Sequence, residues 1–284
     1  MEALPKLALK GKVSDVEWQQ RVDLAACYRL VADMGWGDLI YTHLSLRIPD
    51  TDTYLVNAFG VAFDEVTASN LVKVDLDGNI LDDTPFDINP AGFTIHSAIH
   101  EARPDAHCVI HLHTNETIAV ATQKDGLKPL SQYSMFSLPS LSYHSYEGLA
   151  VNDAERKRLQ RDLGDTNHML LVNHGGLTLG PSVGDAFMRF YDMQRACEVQ
   201  LMLQAAGQDV VAVPQSIQDN IFAQANVVHS GTTGGKKHGL PYCAKRGVST
   251  QVLWNKTLYP SHCVGVEIDE FKERINESHV SRSV

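Results

Sequence analysis

Cys108-Val109-Ile110-His111-Leu112-His113-Thr114 is the run from which the rest of the chain is read. Its branched apolar residues make it a strand, and a strand repeats every two positions. His111 and His113 therefore leave the same face and can close on one metal ion. A third histidine stands downstream in Leu170-Leu171-Val172-Asn173-His174-Gly175-Gly176, where an apolar strand ends in a polar, glycine-rich turn. Three neutral imidazoles with an open fourth position are the usual makings of a catalytic metal site, because the vacancy admits substrate or water. The pair alone carries less: two half-buried histidines satisfied by backbone or water have the same spacing.

Outward from this run, Asn89-Pro90-Ala91-Gly92 opens a helix that continues through His100 and ends at Arg103-Pro104. A second helix begins near Asn115 and reaches about Thr122. Earlier in the chain, Val16 to Met34 reads as a helix stopped by Gly35-Trp36-Gly37-Asp38. Leu44–Ile48, Thr53–Asn57 and Leu71–Leu76 read as strands, with Asp77-Gly78 turning the last into Asn79-Ile80-Leu81. Asp153 to Leu163 reads as a helix, Met169 to Asn173 as a buried strand, and Pro181 to Ala206 as the longest helix. Three spans follow: an N-terminal extension (1–16), one domain (17–206) and a C-terminal extension (207–284) packed on the domain or on a neighbouring subunit. Gly231-Thr232-Thr233-Gly234-Gly235 in the last span reads as a loop, without the flanking strand and helix of a phosphate-binding loop.

The chain has 284 residues, 44% of them hydrophobic, which is enough for a sizeable core. A net charge of −10 argues against nucleic acid or an anionic membrane as partner. Five cysteines without C-x-x-C spacing read as reduced thiols, and the absence of a signal-length or membrane-spanning apolar run points to a cytoplasmic protein.

Taken in order, the motifs Gly35-Trp36-Gly37-Asp38-Leu39-Ile40-Tyr41-Thr42-His43-Leu44-Ser45, Val72-Lys73-Val74-Asp75-Leu76-Asp77-Gly78, Asn89-Pro90-Ala91-Gly92-Phe93, Arg103-Pro104-Asp105-Ala106, His111-Leu112-His113-Thr114 and Asn173-His174-Gly175 resemble the class II aldolase/adducin family. The resemblance covers roughly Glu17 to Ala206. It implies a three-layer α/β/α sandwich with a mostly antiparallel central sheet. It also implies a divalent metal, zinc before iron(II) or manganese, held by His111, His113 and His174. A homotetramer acting on a small molecule, with sites near a subunit boundary, is the corresponding assembly.

The departures from the family pattern narrow the chemistry. Sugar-phosphate aldolases of this family carry Gly-Asn where this chain has Thr42-His43, Ser/Thr-Gly where it has Phe59-Gly60, and Ser-Ser-Glu where it has Pro90-Ala91-Gly92. Those small side chains and backbone N–H groups hold a phosphate, and the glutamate is the acid/base group. Their loss points to a non-phosphorylated substrate. His43, Gly60 and Gly92 then become candidate substrate-binding positions, with His43 either meeting a carboxylate or carbonyl or closing an ordinary strand end. Glu116, three residues past His113 on a helix, is a candidate base, or a carboxylate serving the helix dipole. Tyr133 falls near the place of the family's tyrosine acid, or packs as an ordinary tyrosine. His96 and His100, at i and i+4, read as core or interface histidines. The run Tyr143 to Gly148 is a candidate pocket lining.

Two function classes result. The first is a metal-dependent lyase cleaving a hydroxy-carbonyl or keto acid, by retro-aldol cleavage or decarboxylation through a stabilised enolate. Its rival within the enzymes is an iron(II) oxygenase of keto or hydroxy acids. The second class is a non-catalytic scaffold of the adducin kind, which an intact histidine triad argues against.

Overall fold

In the computed structural model, residues 9–148, 153–207 and 209–221 are described. Alternation along β4 (Cys108–Leu112) sorts its side chains between two cores. Cys108, Ile110 and Leu112 join one apolar cluster, while Val109 joins the other. Such a split requires helices on both faces of the sheet, and the order of elements supplies them.

One face is covered by α1 (Asp15–Asp33), α3 (Asn115–Ala121) and α6 (Val183–Ala206). Leu24, Val120 and Phe190 pack there against Leu44 and Ile110. The other face carries α2 (Pro90–Ala102) and α5 (Asp153–Leu163), whose Ile99 and Leu159 pack on Val109, Met169 and Leu177. Between them lies a seven-stranded sheet in the order β3-β2-β1-β4-β7-β6-β5. The remaining strands are β1 (His43–Arg47), β2 (Thr53–Val56), β3 (Val72–Asp75), β5 (Leu141–His144), β6 (His168–Leu171) and β7 (Gly175–Gly180). Every pair is antiparallel except β5 with β6. This is the three-layer, mostly antiparallel α/β architecture expected from the sequence.

Local chemistry sets the helix boundaries. Ser14 caps α1 by accepting from the Glu17 N–H at 3.1 Å, Thr114 caps α3, and Ser182 caps α6. Gly207 closes α6 in the left-handed conformation at φ 62°.

Among the described residues, β5, the short α4 (Gln132–Ser137) and β7 are absent from the reading of the sequence. The last has a clear cause, because Gly175-Gly176-Leu177 reads as a turn. A Cβ on Gly176 would lie 2.8 Å from Met193 Cε, and one on Gly180 would lie 2.6 Å from the Ala186 nitrogen. These glycines let α6 lie directly on the strand. No helix among the described residues is long and apolar enough to cross a membrane. Most of the C-terminal extension, including the Gly231–Gly235 loop, lies outside the described residues.

Candidate metal centre

The ladder between β4 and β7 ends at Leu112 and Gly176, and His113 keeps the parity of His111 one step further. Across the sheet, β6 and β7 face each other at Leu171 and Gly175. The three residues joining them place Asn173 at φ 59° and His174 at the end of the turn. The three imidazoles meet: ring centroids are 4.8 Å apart for His111–His113, 4.8 Å for His111–His174 and 4.7 Å for His113–His174.

Two of the rings are held from behind. His111 Nδ1 lies 3.0 Å from the Gly176 carbonyl, and His113 Nδ1 lies 3.1 Å from Asp38 Oδ2. Both oxygens only accept, so each Nδ1 carries its proton and donates. That leaves both Nε2 atoms as lone-pair acceptors, and they face one another at 3.1 Å. Two lone pairs at that distance repel unless a positive charge stands between them. About 3.3 Å separates two nitrogens at the corners of a tetrahedral zinc site with bonds of about 2.05 Å. The ligand atoms of all three residues fall within 4.8 Å of one another. The donor set fits a divalent cation.

The protonation states agree. Burial, then the neighbouring His174 and His113, lowers the His111 pKa far below its usual value. Burial also lowers His113, against the opposing pull of Asp38, and takes His174 down to about 4. All three rings are neutral at pH 7, as metal ligands must be.

Asp38 is the residue that the reading of the sequence missed. It stands in the glycine-rich stop after α1, where an acidic residue gives no periodic signal. Replacing it with asparagine removes the carboxylate that fixes the His113 tautomer. Asp38→Asn is expected to weaken zinc binding about 10- to 100-fold, measured by competition with a chromogenic chelator. Unchanged affinity would show that Asp38 does not orient the ring.

His43 pairs with His111 in the ladder and so points to the same face. It is 3% exposed, and neither ring nitrogen has a hydrogen-bond partner. Burial lowers its pKa to about 4. Its ring fills the space beside Gly92, where a Cβ would fall 2.1 Å from His43 Cε1. Gly92→Ala is therefore expected to cost about 1–3 kcal/mol by overpacking. In a His43→Ala background that cost should largely vanish, a coupling that denaturant unfolding of the double-mutant cycle would reveal. Equal costs in both backgrounds would mean that the two positions do not compete for space.

The other candidates fall elsewhere. Gly60 takes φ 82° in the segment after β2, with open space where a Cβ would be. The Glu116 carboxylate accepts from Gln194 Nε2 at 2.8 Å on α6, on the opposite face of the sheet from His111. Tyr133 packs with Tyr191 of α6, ring centroids 6.4 Å apart. Within one chain, neither is brought to the triad. His96 and His100 are fully buried core groups, their Nδ1 and Nε2 atoms 2.6 and 2.7 Å from Ser45 Oγ.

Comparison with known proteins shows the family and the fold. A family model described as "Class II Aldolase and Adducin N-terminal domain" matches residues 22–201. A Pseudomonas aeruginosa protein, named provisionally as an aldolase class 2 protein, is 56% identical over 209 residues, 74% of this chain and 81% of its own length. Rat α-adducin is 40% identical over 78% of this chain, which spans 30% of that protein. The crystal structure of an aldolase II superfamily protein from Pseudomonas syringae superposes with a TM-score of 0.80 at 45% identity, covering 86% of this chain and 99% of the other. An L-fuculose 1-phosphate aldolase from Glaciozyma antarctica superposes at 0.66 with 26% identity, covering 78% and 86%.

Proposed function

Because the chain belongs to the class II aldolase and adducin family, we infer that it is a metal-dependent carbon–carbon lyase acting on a non-phosphorylated hydroxy-carbonyl or keto acid. The observation that carries this reading is the convergence of His111 and His113 Nε2 at 3.1 Å with both Nδ1 atoms fixed from behind. Together with His174 they would hold a divalent cation, zinc first by the all-nitrogen donor set. When bound, such a cation supplies Lewis-acid polarisation of a carbonyl and favours the electron-rich oxygen left by C–C cleavage.

The chain's own residues do the rest. Three neutral imidazoles leave the cation's charge undiminished, so the site favours a carboxylate or keto oxygen. Asp38 and the Gly176 carbonyl keep the two rings from turning. A phosphate finds little here. The Phe59 N–H is already spent on the Asp87 carbonyl at 2.8 Å, and the buried His43 ring takes the space beside Gly92.

Zinc-loaded protein incubated anaerobically with 4-hydroxy-2-oxopentanoate should release pyruvate, read with lactate dehydrogenase, and a His174→Ala variant should not. Faster turnover of L-fuculose 1-phosphate would overturn the substrate class, and a requirement for oxygen would overturn the lyase. The similarity to α-adducin supports a second reading, a non-catalytic binding head. Purified protein that takes up no zinc, iron or manganese would favour it. A homotetramer with a small-molecule substrate is the assembly proposed for the lyase.

A further inference from the structure

A buried chain of hydrogen bonds runs beneath α2 and stays open at the end nearest the metal centre. Its members are His100, Ser45 and His96, none of them used by the triad. Ser45 keeps the parity of His43 on β1, and His43 pairs with His111 in the ladder. The chain therefore lies on the metal's face of the sheet. His100 Nδ1 lies 2.8 Å from the Ala106 carbonyl, while Ser45 Oγ lies 2.7 Å from His100 Nε2 and 2.6 Å from His96 Nδ1.

The Ala106 carbonyl sets every proton in this chain. Burial holds His96 and His100 far below the usual histidine value, the latter at about 3, so both rings are neutral at pH 7. The carbonyl oxygen only accepts, so His100 Nδ1 donates to it and His100 Nε2 is left as an acceptor. Ser45 has one hydrogen, which goes to His100 Nε2. Its oxygen then accepts from His96 Nδ1, and His96 Nε2 ends as a lone pair. That nitrogen is buried and has no hydrogen-bond partner. The chain conducts no protons, because its Ala106 end has none to give. It fixes one lone pair.

His43 is the ring beside it, with centroids 6.0 Å apart and planes at 85°. Burial keeps His43 neutral as well, and neither of its nitrogens is paired. Together the two rings offer one N–H and two lone pairs, all buried and all unpaired, which is costly unless a ligand meets them. A purely structural pair would close on protein partners, as His100 does. Both rings also border the triad, His43 interacting with the charge of His113 and His96 with that of His111.

This inventory selects the ligand. A methyl group satisfies none of these atoms. A carboxylate only accepts, so it would set lone pair against lone pair at His96 Nε2. An ammonium would bring a second positive charge beside a cation site. A hydroxyl donates and accepts, and it is no larger than a water molecule. We propose that His43 and His96 form a hydroxyl-binding subsite beside the metal centre, with His96 Nε2 accepting from the substrate's O–H and the His43 N–H donating to its oxygen. The proposal rests on the lyase reading and deepens it: the substrate is a keto acid that carries a hydroxyl group beyond its metal-binding end. Ser45 and His100 are positioning residues that act through His96.

Two acids that differ only by hydroxyl against methyl test it, 3-hydroxybutanoate and 3-methylbutanoate. Neither has a keto group, so neither is cleaved. Titrated calorimetrically into zinc-loaded protein, the hydroxy acid should bind at least about tenfold more tightly. His96→Phe should bring the two acids level while zinc content stays the same. The wild-type chain decides the matter even if that variant does not fold. With nitrogen-15 histidine, the His96 Nε2 resonance should shift on adding the hydroxy acid and stay in place with the methyl acid. An unaffected variant, or a resonance that never moves because water already holds that nitrogen, would overturn the proposal. Equal binding of the two acids removes the subsite and leaves the lyase. Binding of neither removes the metal-centred reading along with it.

Discussion

His111→Ala is expected to abolish stoichiometric zinc uptake while the fold remains. His111 supplies one of three converging nitrogens, and its Nδ1 bond to the Gly176 carbonyl holds the ring toward the other two. A full zinc site is worth about 10–16 kcal/mol over its four ligands, so one ligand accounts for roughly 3 kcal/mol, on the order of a hundredfold in affinity. Zinc per chain after dialysis should fall from near one to near zero, with an unchanged far-ultraviolet spectrum. Glu116→Gln is the matching control. Its carboxylate is engaged by Gln194 on the other side of the sheet, so zinc content should be unaffected. A His111→Ala protein that keeps its zinc would remove the triad from the site.

The second large effect is acid sensitivity. Burial takes the His43 pKa down to about 4, and those of His100 and His168 to about 3. Burial, then the charges of His43 and His100, also lowers His96 far below its usual value. In the unfolded chain each of these returns to about 6.5. Below that pH the unfolded state binds more protons than the folded one, so stability present above pH 6.5 is lost as pH falls, until the folded values are reached. Each histidine then costs about 1.4 kcal/mol per pH unit. At pH 5 the three with given values remove roughly 6 kcal/mol, with His96 acting in the same direction. That is comparable with the whole stability of an ordinary domain, about 5–15 kcal/mol. Unfolding is expected near pH 5, where ordinary solvated carboxylates, at about 3.9–4.3, are still mostly charged. Tryptophan fluorescence against pH would follow it, and His168→Gln should flatten the slope by one proton. Stability unchanged between pH 7 and pH 5 would contradict the account.

The triad was legible because it rests on two periodic signals, strand parity at 111 and 113 and a turn at 174. The layers came from the resemblance carried by the ordered motifs, while apolar spacing in α1 and α6 marked only which stripe of each is buried. Strand β7 was hidden because Gly175, Gly176 and Gly180 look like a breaker, whereas they let α6 and β4 approach the backbone. Glu116 was placed near the metal by helical offset alone. The offset is correct, but α3 docks on α6, which carries the carboxylate to the other side. Asp38 reaches His113 only through a contact between segments distant in sequence, which no spacing rule reaches, whereas the run Tyr143 to Gly148 was already named as a pocket lining and five of its residues line one.

The two apolar clusters lie on opposite faces of one sheet, and His111 belongs to the face that carries Val109 rather than Ile110. Variation in the α1 and α6 layer can therefore alter robustness without redrawing the reactive surface. Changes in α5, and in α2 away from Phe93, which belongs to the larger core, adjust that surface at little cost to that core. A chain divided in this way can drift in one property while holding the other, and libraries aimed at a new specificity belong in α2 and α5.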